Sequence, residues 1–110
     1  MSKDLHKLES AVASIKKIKK YTAGLNYEEF SNQDVIIDAV LMHFGNLGEK
    51  LGGISPEFKN KHDEIPYRDA KDMRNYVAHQ YEGVNALSVW NMVTEIIPNL
   101  EVQLKKILDD

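Results

Sequence analysis

An all-α chain, folded as an up-and-down bundle of four to five helices, is what this sequence predicts, and three observations predict it. Apolar residues recur at three- and four-residue steps through the long segments, no stretch alternates apolar and polar with the period of a strand, and the breaks between segments are short. From Asp4 to Tyr21, Leu5, Leu8, Val12, Ile15 and Ile18 supply one buried helix face, and Gly24 supplies the stop. A second helix is expected to begin near Ser31, where Ser31 and Asp34 resemble a capping box. It should run through Val35, Ile36, Ala39, Val40, Phe44 and Leu47 to about Leu51, ahead of Gly52-Gly53. Ser55-Pro56 and Ile65-Pro66 read as helix starts, the first of a short piece and the second of a third helix over about Pro66 to His79. After the break at Glu82-Gly83, Asn85 caps a final helix with Leu87, Trp90, Val93, Ile97, Leu100, Leu104 and Ile107 on one side, and Pro98 is expected to kink or divide it.

Length and composition bound the rest. A chain of 110 residues with 43% hydrophobic content carries one core, so a single domain over 1–110 is expected. It has no cysteine, which removes disulfides and thiolate metal sites, and its charged N-terminal residues lack the apolar stretch of a signal peptide. A cytoplasmic protein is the expectation. The net charge of −3 argues against nonspecific coating of nucleic acid. Lys3, Lys7, Lys16, Lys17, Lys19 and Lys20 crowd the first helix, either as a basic surface that guides a polyanion or as an ordinary solvated face. No glycine-rich phosphate loop is present and His6, His43 and His62 fall in no metal-ligand spacing, so no cofactor and no metal are expected. Trp90, Met42, Met73 and Met92 read as core or subunit interface.

One short stretch carries chemistry. Arg74-Asn75-Tyr76-Val77-Ala78-His79, followed by Gln80 and Tyr81, sets a permanent cation near a titratable imidazole. Arginine grips phosphate oxygens bidentately, and imidazole is the side chain that ordinarily changes protonation between pH 5 and 8. Five residues on a regular helix separate the two by about 140° and about 7.5 Å of rise, so they do not share a narrow face. Holding one phosphate between them requires a distorted helix end or a second subunit across a two-fold axis.

Met73-Arg74-Asn75 followed by His79-Gln80-Tyr81 resembles the R-N-x-x-x-H-x-Y signature of HEPN-domain proteins, in particular the HepT-like toxins of HEPN/MNT pairs. Tyr27-Glu28-Glu29-Phe30, Gly48-Glu49, Ile65-Pro66-Tyr67, Val89-Trp90 and Ile97-Pro98-Asn99-Leu100 match in the family's order. Three positions depart from it: Lys50 and Asp72 stand where small residues are common, and Tyr67 replaces a common Trp.

The resemblance implies a HEPN-like two-fold homodimer acting as a metal-independent endoribonuclease of a type VII toxin-antitoxin pair. RNA would be its substrate. Arg74 would stabilise phosphorane charge and His79 would transfer protons, with Asn75 in support. The matching tyrosine, Tyr81, is implied to receive AMP from a partner minimal nucleotidyltransferase (MNT) antitoxin, whose bulky anion would block RNA. Other readings stand beside these: Arg74 paired with Asp72 or Glu82, His79 bonded to helix-end carbonyls, Asn75 as a structural cap, Tyr81 packed at the helix end. On those terms the chain would be a non-catalytic helical module that binds substrate for, or interacts with, a nucleotidyltransferase.

Overall fold

In the computed structural model, which describes residues 2–79 and 83–109, the described residues form helices joined by short turns, with no strand among them. The segments are α1 (Lys3–Thr22), α2 (Tyr27–Ser31), α3 (Asp34–Gly52), α4 (Pro56–Lys61), α5 (Tyr67–Ala78) and α6 (Ala86–Asn91), then a π-helical turn (Met92–Ile96) that leads straight into α7 (Ile97–Leu108). Four rods result: α1, α3, α5 and the continuous α6–α7 run. Two short helices, α2 and α4, fill the corners.

The rods alternate in direction. Asp4 and Lys7, at the start of α1, reach Ser55 and Gly53 just beyond the end of α3. Lys19, near the end of α1, meets Glu101 near the start of α7. α3 packs most extensively against α1 on one side and α5 on the other, which gives the order α5, α3, α1, α7 across the bundle. The buried stripes that join them are those of the 3.6-residue period: Leu8, Ile15 and Ile18 on α1, Phe44, Leu47 and Leu51 on α3, Leu100 and Leu104 on α7. Between α1 and α3 the seam is partly polar. Buried Ser14 accepts a 2.7 Å hydrogen bond from the Asn46 amide and lies 3.2 Å from His43 Nδ1, so its desolvation is offset by partners.

Several expected caps are present. Ser55 accepts from the Phe58 N–H and Asn85 from the Ser88 N–H, while Gly24 takes a φ of +76° just after α1. Two expectations are corrected. Ser31 does not cap α3: its hydroxyl donates to the Glu28 carbonyl, Gln33 stands at the cap without a side-chain bond, and α3 begins at Asp34. The capping box lies earlier, where Asn26 and Glu29 bond reciprocally and start α2.

Leu87 is the second correction, because it is 48% exposed and Val89 is buried instead. Pro98 has no N–H to return to the preceding turn, and the π-helical turn beside it carries one residue more than an α turn. That extra residue shifts the phase of α6 against α7 by about 100°, which carries Val89 onto the core side and Leu87 off it. Trp90 is half-buried, with its ring 5.0 Å from Phe30 and 6.4 Å from Tyr27, tying α2 to α6. On α3, Val35 and Met42 face outward at 81% and 65% exposure, so neither belongs to the core.

Candidate active site

Arg74 owes its place to a helix contact that only glycine allows. The inward face of α5 is Ala70 and Met73, both buried, with Val77 half-buried behind them. This face lies so close to α3 that a Cβ on Gly48 would overlap the Cβ of Arg74 and stand 2.7 Å from the Ala70 carbonyl oxygen. One turn earlier, the same addition to Gly45 would rest 3.9 Å from Val77 Cγ1, an ordinary contact. Gly48 therefore sets how near Arg74 sits to α3, and the long guanidinium stem turns outward from that point, leaving the side chain exposed.

A groove of about 730 Å³ opens there. Gly48 and Gly52 of α3 line it on one side, Lys59 of α4 on another, and α5 contributes Arg68, Lys71 and Arg74. Asp72 brings the one carboxylate among the lining residues and Asn75 an amide. Arg74 forms no ion pair with Asp72, and neither Arg68, Lys71 nor Arg74 has an ion pair among the described residues. Tyr67 completes the lining, with its hydroxyl donating to the His62 carbonyl at 3.1 Å. Burial, assisted by Glu64, Asp4 and Asp63, pushes that hydroxyl up to about 12, so it remains a donor.

His79 is placed differently. It is the residue at which α5 ends: its φ of −118° and ψ of 29° leave the helix, while its N–H still bonds the Asn75 and Tyr76 carbonyls at 3.1 and 3.3 Å. Its Nδ1 lies 2.9 Å from the Asn75 carbonyl oxygen, an atom that only accepts. The proton of the neutral ring is therefore held on Nδ1, and Nε2 is the basic nitrogen. Asn75 thus holds His79 through its backbone and is itself among the residues that line the groove. The imidazole is exposed but does not line the groove that contains Arg74. The helix-end distortion exists without bringing the pair into one pocket of one chain.

Tyr76 fixes the far end of this region. Its hydroxyl accepts from the Asn85 N–H at 2.9 Å and donates to the Asn85 carbonyl at 3.3 Å, stapling the start of α6 back onto α5. Tyr81, the expected acceptor of AMP, lies outside the described residues, as does Glu82. Of the α1 lysines, none lines the groove beside Arg74. Lys7 donates to the Gly53 carbonyl and Lys19 to Glu101. Sequence reading missed Lys59, Arg68 and Lys71 as neighbours of Arg74. The three-residue spacing of Arg68, Lys71 and Arg74 was the available signal, and Lys59 had none because α4 reaches the groove only through the fold.

A sequence profile described as Ribonuclease HepT-like matches residues 12–107. A protein of Caldanaerobacter subterraneus subsp. tengcongensis with a provisional RNase name is 31% identical over 103 residues, 94% of this chain and 88% of the relative. One from Methanocaldococcus jannaschii, also provisionally named an RNase, is 33% identical over 93 residues, 84% of this chain and 80% of its own. A protein of Thermococcus cleftensis, provisionally named ribonuclease HepT, is 33% identical over 100 residues, covering 91% of each chain. No solved structure matches this chain.

Proposed function

The chain belongs to the HepT-like ribonuclease family, and on that premise we propose that it is a metal-independent endoribonuclease toxin whose site combines Arg74 and His79 across a homodimer. A ribose 2′-hydroxyl attacks its adjacent phosphorus, His79 Nε2 of one protomer takes the hydroxyl proton, and the bond from phosphorus to the 5′-oxygen breaks. The second His79 protonates that leaving oxygen, so the products are a cyclic phosphate and a 5′-hydroxyl. Arg74, with Asn75 beside it, stabilises the charge that builds on the phosphorane oxygens.

The observation that carries this reading is the exposure of Arg74 and His79 on one short helix, with Arg74 lacking an ion pair among the described residues and His79 held in its Nδ1–H tautomer. A groove that takes Arg74 and Asn75 but not His79 supports a site shared between two copies. Its regulation belongs to the same proposal: an MNT partner transfers AMP to Tyr81, adding an anion next to the motif and shutting out RNA.

Incubation of the purified protein with total RNA in EDTA, beside His79→Ala prepared identically, tests the activity. Cleavage by the wild type alone is expected. RNA left intact by a wild-type dimer whose mass shows no added AMP would overturn the catalytic reading and leave a binding module.

A further inference from the structure

Four cations converge on the groove between α3, α4 and α5 against one carboxylate, a local balance of +3 in a chain whose net charge is −3. Proteins usually neutralise such crowding internally, as this one does at Lys19, Glu101 and Lys105. Arg68 and Lys71 are exposed and have no ion pair among the described residues, although Asp69 and Asp72 are their neighbours in sequence. Uncompensated like charges repel, so the arrangement is stabilised when an anion enters.

We propose that this groove is a binding track for the backbone of single-stranded RNA, in which Lys59, Arg68 and Lys71 engage the phosphates that flank the one held by Arg74. The proposal rests on the ribonuclease reading for the role of Arg74. Its geometry is that of a strand: Arg68, Lys71 and Arg74 climb α5 in steps of about 4.5 Å, a total of about 9 Å, which reaches two neighbouring backbone phosphates rather than a single anion. They rotate by about 60° per step in the same sense, so the row curls around α5 toward α3. Lys59 meets it from α4, where its ammonium also donates to the Gly52 carbonyl at 3.2 Å and lies 5.5 Å from the centre of the Tyr67 ring. A single strand suits the chemistry as well, because the 2′-hydroxyl must swing into line with the departing 5′-oxygen, a geometry that a stacked duplex withholds. Contacts of this kind orient and retain RNA without reading its bases. The track lies entirely within one protomer, and it fixes from which side the strand approaches Arg74.

The test uses the full chain in the His79→Ala background, so that RNA is bound and not cut. Affinity for a labelled single-stranded RNA of about 12 nucleotides is followed by fluorescence anisotropy over a salt series. Arg68→Gln with Lys71→Gln should lower the slope of log affinity against log salt by about 1.4, at about 0.7 per lost contact. Lys16→Gln with Lys20→Gln, which removes the same charge from the exposed face of α1, should leave the slope unchanged. With His79 restored, the groove variant should raise KM for the 12-nucleotide RNA about tenfold and lose less on a dinucleotide too short to reach the track. An unchanged slope in the groove variant, or an equal loss in the α1 variant, overturns the track even where cleavage is intact. Absence of cleavage with the slope change present overturns the ribonuclease reading and leaves the track standing.

Discussion

Charges are handled in opposite ways on the two sides of the bundle. Between α1 and α7, Glu101 receives Lys19 at 2.8 Å and Lys105 at 3.4 Å. Burial pushes that carboxyl up, yet the hydrogen bonds from Lys19 and Lys105 outweigh it and hold the group below the ordinary carboxylate range. Across α3, on the outer face of α5, Arg68, Lys71 and Arg74 have no ion pair among the described residues. The first arrangement spends its charges on holding two helices together, and the second leaves them exposed around a groove, where the proposed track would use them.

The largest expected effect breaks the comparison at its functional end. Arg74→Ala and His79→Ala should each lower RNA cleavage by about 100-fold or more, with thermal unfolding essentially unmoved because both side chains are exposed. A melting point that falls in step with activity would make the two residues structural. Next comes Gly48→Ala, which must part α3 from α5: overpacking costs about 1–3 kcal/mol, and cleavage should fall with it as Arg74 is displaced. Gly45→Ala meets only an ordinary contact and should be neutral or stabilising by about 0.5 kcal/mol, so chemical unfolding of the pair isolates the close approach.

A smaller effect belongs to the paired side. Lys19→Ala leaves Glu101 with Lys105 alone and should cost about 1 kcal/mol in urea unfolding while cleavage per folded molecule stays at the wild-type level. A loss of cleavage there would erase the division between the two sides. The smallest effect is one of pH. Burial, and then the nearby Lys17, lowers the His43 pKa, so the native state takes up its proton at lower pH than the unfolded chain. The stability this gives is complete above pH 6.5 and is lost as pH falls through the depressed value. His43→Gln should therefore flatten the acid side of a melting-temperature profile, and an unaltered profile would place the titration elsewhere.

The long rods were legible because each buries a stripe of period 3.6, and the caps at Ser55 and Asn85 because a side-chain oxygen before an apolar run has a local mechanism. Ser31 misled because the true box, at Asn26 and Glu29, starts a helix of five residues, too short to show a period. Leu87 misled because the π-helical turn changes the phase between it and Ile97, and no local residue pattern announces one extra residue in a turn. In the site, Arg74 and His79 were named by their motif, whereas Gly48-Glu49 was a match without a meaning until packing showed that Gly48 touches Arg74. The groove was invisible for a similar reason: it is assembled from three helices, and proximity across helices is a property of the fold.

The contact at Gly48 divides the site into a part that substitution can tune and a part that it cannot. Residues such as Arg68, Lys71 and Asp72 are exposed and can be exchanged one at a time, each altering the charge of the groove while the helices stay where they are. Position 48 offers no such gradation, since the smallest side chain already collides with Arg74. Any lineage or engineer that reshapes this protein therefore has the charge of the groove as a continuous variable and the seat of Arg74 as a fixed one.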